Sequence, residues 1–346
     1  MTAPDGRTGL GGNRAVLARA RALRAQGVAF ALALVTDTEG STYRKPGALA
    51  LVAQDGERVG SISGGCLEPA LDALARDVLA SGRVGVATFD TRGEDDLVFG
   101  SGSGCRGRMR VLAWPVAGDA PRPMFDALCR AHDDGVALEL ALVVDAADAG
   151  RGLAWRADDD AVGHDDALSA SLRAAPDGLH EADGTRFARL RIAAPPRLLL
   201  LGAGPEAPPL LQLARALGWV AEVADHRPAL LDAQRLRDAD QRHEARPAAF
   251  LPALARAPDA ALVMTHLAST DLEALAALAG MAVPYVGLLG PPGRRDELLA
   301  QLSPQARSAL RPRLHAPVGL PLGGEGPEAI ALAITAELQR HFNARR

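Results

Sequence analysis

The chain has 346 residues, about two domains' worth, and its 48% hydrophobic and 23% charged residues describe a packed protein rather than a disordered one. A formal charge of −4 excludes a nucleic-acid binder that works by general electrostatics, which needs a basic surface. The cations are lopsided: among the 38 Lys and Arg residues, Lys45 is the single lysine.

Three cysteines in a chain this long make no disulfide framework. Residues 1–14 read as a flexible, polar, glycine-rich start without an apolar signal segment. The setting this implies is the cytoplasm, with reduced thiols. Asn13 can cap a helix over 14–26, with Val16, Leu17, Ala20 and Leu23 on one face. Residues 30–36 form a buried-type strand, and 49–53 and 58–62 flank a turn as a hairpin. A helix follows over 67–80, then strands at 84–89 and 109–114. Cys129 sits on a helix face with Met124, Phe125 and Leu128 and reads as core. Strands are expected at 138–145 and 187–192, with the polar stretch between them read as loops.

After Ala193-Ala194-Pro195-Pro196, a linker, the pattern changes. Continuous apolar strands at 197–201, 219–224, 260–265 and 285–289 alternate with helices at 205–217, 271–279 and 296–302, and a last helix covers 327–340. Residues 274–293 are uncharged but broken by Gly280, Pro284, Gly287, Gly290 and Pro291, so they read as helix, strand and loop rather than a membrane span. The fold class is therefore α/β: an N-terminal mixed α/β domain over 15–194 and a Rossmann-like, doubly wound parallel sheet over 195–346.

Gly202-Ala203-Gly204-Pro205-Glu206-Ala207 matches the dinucleotide fingerprint G-x-G-x-x-[GA] directly after a strand. Asp225 ends the next strand, where an acid can hold a ribose hydroxyl, and His266 follows the strand at 260–265 on the carboxyl edge, where open α/β sheets bind ligands. Pro205, however, lacks the N–H that a phosphate would use, and Arg227 brings a cation close to Asp225. NAD(P) or another nucleotide, and a bare structural turn, both remain open on these residues.

Three N-terminal loops carry the rest of the chemistry: Gly40 to Gly47 with Ser41, Arg44 and Lys45; Ser61 to Glu68 with Gly64, Gly65 and Cys66; and Gly100 to Arg108 with Cys105 and Arg106. Glycines and small hydroxyls bring backbone N–H groups close to a ligand, Arg44, Lys45, Arg106 and Arg108 add positive charge, and Glu68 is the only acid. The balance predicts an anionic small ligand. Cys66 precedes a helix, whose N-terminus favours a thiolate, and Cys105 lies among glycines and arginines.

Taken together, "GSTYRKPGA", "GSISGGCLEPAL", "GCRGRMRVL", "LLLLGAGPEA", "VADHRP", "VMTH", "YVGLLGP" and "HAPVGLPLGGEGPEAIALAI" resemble the XdhC/CoxI family, accessory proteins that mature molybdenum hydroxylases such as xanthine dehydrogenase and aerobic carbon monoxide dehydrogenase. The resemblance implies a chaperone that binds the molybdopterin molybdenum cofactor, protects it while a cysteine desulfurase installs its sulfido ligand, and passes it to the apo-hydroxylase. It also implies a homodimer. Cys66 matches the family's GGC-x-E cysteine and Glu68 its acid, while Gly202, Gly204 and Asp225 match its Rossmann fingerprint. Cys66, together with Cys105, is then expected near molybdenum or its exchangeable sulfur, with Arg44, Lys45 and Arg106 on the cofactor's phosphate. The competing readings are an NAD(P)-linked oxidoreductase, with Asp225 on the ribose and His266 near the chemistry, and a scaffold that joins desulfurase to hydroxylase.

Overall fold

The computed structural model describes residues 9–92, 106–118, 122–145, 148–156, 162–163, 169–182 and 184–344. They form two compact units, 12–194 and 195–344, with residues 9–11 attached to the second through the Gly11 N–H, which donates to Arg215 O at 3.0 Å. The first helix starts at Gly12, so residues 12–14 are helical rather than part of a loose start.

The N-terminal unit runs α1 (Gly12–Ala25), β1 (Phe30–Gly40), β2 (Leu49–Ala53), β3 (Arg58–Val59), α2 (Glu68–Ser81), β4 (Gly85–Asp90), β5 (Gly107–Val116), α3 (Pro123–Asp133), β6 (Leu138–Val143), β7 (Gly152–Trp155), β8 (Val162–Gly163), α4 (Ser169–Ala174), β9 (Gly178–Ala182) and β10 (Thr185–Ile192). Two antiparallel sheets result, in the orders β3-β2-β1-β5-β4 and β8-β7-β6-β10-β9. Period-two alternation explains how the first sheet is covered on both faces. Phe30, Leu32 and Leu34 point to one side, into a core shared with α1, α3, β6 and β10. Ala31, Ala33 and Val35 point to the other, where their small side chains pack against Leu71, Ala75 and Val78 of α2. Cys129 is buried on α3, and burial pushes its thiol pKa up.

The stretch between 145 and 185, read as loops, contains β7, β8, α4 and β9. Its strands are short and flanked by Asp, Ala and Gly, so their hydrophobic period is too brief to stand out, yet every residue of β7 is buried.

The C-terminal unit runs β11 (Arg197–Leu201), α5 (Ala207–Ala216), β12 (Val220–Asp225), β13 (Gln241–Glu244), α6 (Pro247–Phe250), β14 (Ala260–Val263), α7 (Ala268–Ala279), β15 (Tyr285–Leu288), α8 (Pro292–Gln301), α9 (Pro304–Leu310), β16 (Leu314–His315) and α10 (Gly326–Asn343). Its six strands are all parallel, in the order β13-β12-β11-β14-β15-β16. Leu198 and Leu200 face α5 and α10, while Leu199 and Leu201 face α7, α8 and α9. A strand covered on both sides must be apolar at every position, which is why β11 reads as an unbroken leucine run. The strand order reverses between β11 and β14, and the carboxyl edge of the sheet there is where such sheets bind ligands. Among the described residues no helix is long and apolar enough to cross a membrane.

Candidate functional site

In the N-terminal unit, antiparallel pairing brings together segments far apart in sequence. β1 and β5 end in register, Gly40 opposite Gly107, after a bulge at Thr36. Both ends must be glycine. A Cβ on Gly40 (φ 72°) would stand 2.6 Å from Arg106 O, and one on Gly107 would stand 2.3 Å from Ser41 O. The Ser41 N–H donates to Arg106 O at 3.2 Å, so the first loop is tied to the start of β5. The second loop meets the first at Tyr43, since a Cβ on Gly64 would lie 4.0 Å from its ring. Tyr43 itself is 62% exposed.

The second loop is built around Ser63 and Glu68, both buried. Glu68 Oε1 accepts from the Ser63 N–H at 3.1 Å, and the Ser63 hydroxyl donates to Glu68 Oε2. The same hydroxyl oxygen accepts from the N–H groups of Gly65 at 3.1 Å and Leu67 at 3.0 Å. Burial works against the Glu68 charge, but the hydrogen bonds from Ser63 and the neighbouring backbone outweigh it and hold its pKa below the ordinary value. Glu68 thus folds the loop and is turned away from solvent. Gly64, Gly65 and Cys66 are left exposed on the loop, with Cys66 immediately before Leu67, the N-cap of α2.

Of the four loop cations, Arg108 is neutralised: its Nη2 lies 3.2 Å from Glu39 Oε2. That removes it from the set expected to face an anion. Glu39 stands opposite it across β1 and β5, a pairing that the loop spacing alone hides. Arg44, Lys45 and Arg106 form no ion pair among the described residues. Among the described residues Lys45 Nζ has only Thr42 Oγ1, at 3.5 Å. Ser41, Lys45 and Arg106 are exposed and Arg44 is half-buried. Cys105 lies outside the described residues.

In the C-terminal unit, Gly202 takes φ 123° in the turn after β11, and its missing side chain makes room for Met264 and Thr265. Asp225, with its side chain fully buried, is saturated. Oδ1 accepts from the Arg227 N–H and Nε, each at 2.9 Å, and Oδ2 accepts from Arg227 Nη2 and the Ala203 N–H, each at 2.8 Å. The guanidinium therefore sits where a ribose would have to bind. Burial opposes the Asp225 charge, yet Arg227 and the two N–H groups prevail and hold its pKa below the ordinary value. A folded-state pKa below the unfolded one contributes stability that is present above about pH 4 and lost as pH falls through the folded value. The Asp225→Asn protein is expected to lose stability at pH 7 and to flatten the acid limb of the stability–pH curve. Urea midpoints taken between pH 7 and pH 2 measure both, and parallel curves for the two proteins would refute the link.

Sequence reasoning missed Arg235 and Glu206. Arg235 donates to Ala203 O at 2.8 Å and Gly204 O at 2.5 Å, clamping the glycine turn from below. Glu206 Oε2 lies 3.1 Å from His266 Nε2, and a Cβ on Gly204 would stand 3.0 Å from each of these two atoms. The fifth position of the fingerprint was the available signal, because an acid beside a phosphate site is out of place.

These features define a two-unit α/β protein, with a cationic, thiol-bearing loop cluster on an antiparallel unit and a Rossmann-type second unit. Residues 198–338 match the XdhC Rossmann domain and residues 23–90 match the XdhC and CoxI family. The chain is 33% identical over 318 residues to a Bacillus subtilis (strain 168) protein that carries the name of a probable xanthine dehydrogenase subunit, covering 89% of this chain and 91% of that one. A crystal structure described as a xanthine dehydrogenase from Bacillus halodurans superposes with a TM-score of 0.80 at 30% identity, over 95% of this chain and 96% of that one. An uncharacterized Escherichia coli (strain K12) protein, YqeB, is 33% identical over 145 residues, 41% of this chain and 27% of its own length. The chain belongs to the XdhC and CoxI family.

Proposed function

We propose that this chain is an accessory protein of a molybdenum hydroxylase of the xanthine dehydrogenase or carbon monoxide dehydrogenase type, and that its N-terminal loops hold the molybdopterin cofactor for sulfuration by a cysteine desulfurase and delivery to the apo-hydroxylase. The observation that carries the reading is the pairing of an exposed thiol, Cys66, with three cations that no carboxylate neutralises among the described residues, on loops tied to one another through Ser41, Tyr43 and Gly64. The donor set fits a phosphate-bearing, sulfur-rich group: hard cations for the phosphate and a soft thiol for the metal end. When bound, the cofactor supplies a molybdenum centre with an exchangeable sulfur.

The chain's own residues then divide the work. Arg44, Lys45 and Arg106 attract and orient the phosphate. The Ser63–Glu68 hydrogen bonds hold the loop so that Cys66 stays at its surface. Cys66 keeps a reduced thiol there, as the cytoplasm would maintain it. The names of the two Bacillus relatives support xanthine dehydrogenase as the client. A homodimer, which the family resemblance implies, belongs to the same reading.

Co-expression with a molybdopterin source and assay of the purified protein tests this. Bound cofactor is expected in the wild type and a clear loss in Cys66→Ala. Equal cofactor in both removes the role of the thiol, and none in either sinks the carrier function.

A further inference from the structure

The crevice on the carboxyl edge of the C-terminal sheet carries the glycine spacing of a dinucleotide site but not its chemistry. Three prolines, Pro205, Pro208 and Pro209, strip N–H groups from the turn and the first turn of α5, where a pyrophosphate would look for donors. A carboxylate, Glu206, occupies the N-cap of that helix. The ribose-holding acid, Asp225, is closed by Arg227 on both oxygens. The residues do not fit the group.

What they do fit is an imidazole held by an acid. His266 is the one non-glycine residue with positive φ among those described, at 63°. Such a backbone persists when its surroundings fix it, and strain of this kind gathers at functional sites. The surroundings here are specific. Thr265, the preceding residue, is fastened to Asp271 Oδ1 through its N–H at 3.1 Å and its hydroxyl at 2.6 Å. Asp271 is fully buried and receives Arg294 Nη2 at 2.7 Å on its other oxygen. The Leu267 N–H, on the far side of His266, returns to Thr265 Oγ1 at 3.2 Å. The strained histidine is thereby held between two pinned neighbours. Its ring is half exposed (48%), whereas its partner Glu206 is nearly buried (8%). Gly204 contributes by having no side chain where the two meet.

We infer that this crevice is an acid–base site in which Glu206 positions His266, that it takes a small polar ligand through an acidic O–H or N–H group, and that it does not take a dinucleotide. A carboxylate can only accept, so Nε2 carries the hydrogen bonded to Glu206 and Nδ1 keeps its lone pair for the ligand. The step is a proton transfer alone. The ligand's O–H or N–H bond breaks, its proton joins Nδ1, the electron pair stays on the ligand as its conjugate base, and the imidazolium is held by Glu206. Arg227 Nη2, 3.2 Å from Thr265 O, adds a further tie to the residue that precedes His266. Gly204, the second glycine of the fingerprint, then serves the Glu206–His266 contact instead of a phosphate.

Nitrogen-15 NMR of the full chain labelled at histidine, with p-nitrophenol and NAD+ as probes, tests the inference. His266→Asn is the useful variant, because asparagine tolerates positive φ and removes the imidazole without adding strain. In the wild type, His266 is expected in the Nε2–H tautomer, and Glu206→Ala should let both tautomers appear. Bound p-nitrophenol is expected to turn to its yellow anion at a pH where the free phenol is mostly protonated. His266→Asn should weaken that binding at least tenfold, and NAD+ should not displace the probe. A wild-type protein that fails to ionise the phenol, equal binding by His266→Asn, mixed tautomers in the wild type, or displacement by NAD+ would each overturn it. All of these readouts concern the C-terminal unit and are separate from cofactor loading on the N-terminal loops.

Discussion

Replacing Gly202 with alanine is expected to destabilise the C-terminal unit by about 4 kcal/mol or more, a large share of the stability of an ordinary domain. Two causes add. The residue sits at φ 123°, a region that side chains avoid. The new Cβ would also stand 2.4 Å from Met264 O and 2.7 Å from Thr265 N, both backbone atoms. Neither side can retreat. The Met264 N–H is bonded to Leu201 O at 2.8 Å, the Gly202 N–H to Ala224 O at 2.9 Å, and β11 and β14 are in register from Leu198 to Leu201. The control is Gly323→Ala, at φ 79° with nothing within 4 Å of its Cβ, where backbone strain acts alone and about 1 kcal/mol is expected. Urea unfolding of the two variants separates the contributions. If both lie within about 1 kcal/mol of the wild type, the tight passage of the turn past β14 is not a feature of the molecule.

The turn was readable because its physical causes are local. A strand buried on both faces shows itself as the run Leu198 to Leu201, and a turn passing close to another strand shows itself as glycine. The burial of β1 is equally plain in its apolar run, though not which of its residues face which layer. What stayed hidden were effects of pairing across long separations. Nothing near Arg108 announces that Glu39 lies across the ladder to neutralise it, and nothing near Gly40 announces Gly107 as its partner, because the register of β1 and β5 is set by the whole sheet. β13, with the sequence Gln-Arg-His-Glu, joins the parallel sheet at an edge and so carries no apolar pattern at all. At the sites themselves, residue types indicated the chemistry but not its state of engagement. Asp225 and Glu68 were both identified as acids near ligands, and both prove to be buried groups that hold backbone in place. Glu206, passed over inside a glycine motif, is the acid that touches a half-exposed histidine.

State of engagement also ranks the cations. Reversing Arg44, Lys45 or Arg106 to glutamate is expected to lower cofactor loading roughly tenfold each, and reversing all three should abolish it, since none is paired with a carboxylate among the described residues and each can give a charge-assisted hydrogen bond to phosphate. Arg108→Ala is the discriminating control. Its charge is already committed to Glu39, so loading should stay within about twofold of the wild type. Arg108 also lies only two residues from Arg106, and a general loss of positive potential would make the two variants behave alike. Salt gives an independent measure: raising ionic strength from about 0.1 M to 1 M shortens the screening length from about 10 Å to 3 Å and should weaken capture by exposed cations. The lone lysine supplies a last distinction. An ammonium acts as a point charge and a guanidinium as a planar fork, so Lys45→Arg keeps the attraction and changes the geometry. If Lys45→Arg loads normally while Lys45→Glu does not, charge is what the position provides. If both fail, the compact ammonium beside Thr42 is what the loop requires. Equal loading across the whole set would mean that the phosphate is bound elsewhere, and the three loops would lose their place in the proposed function.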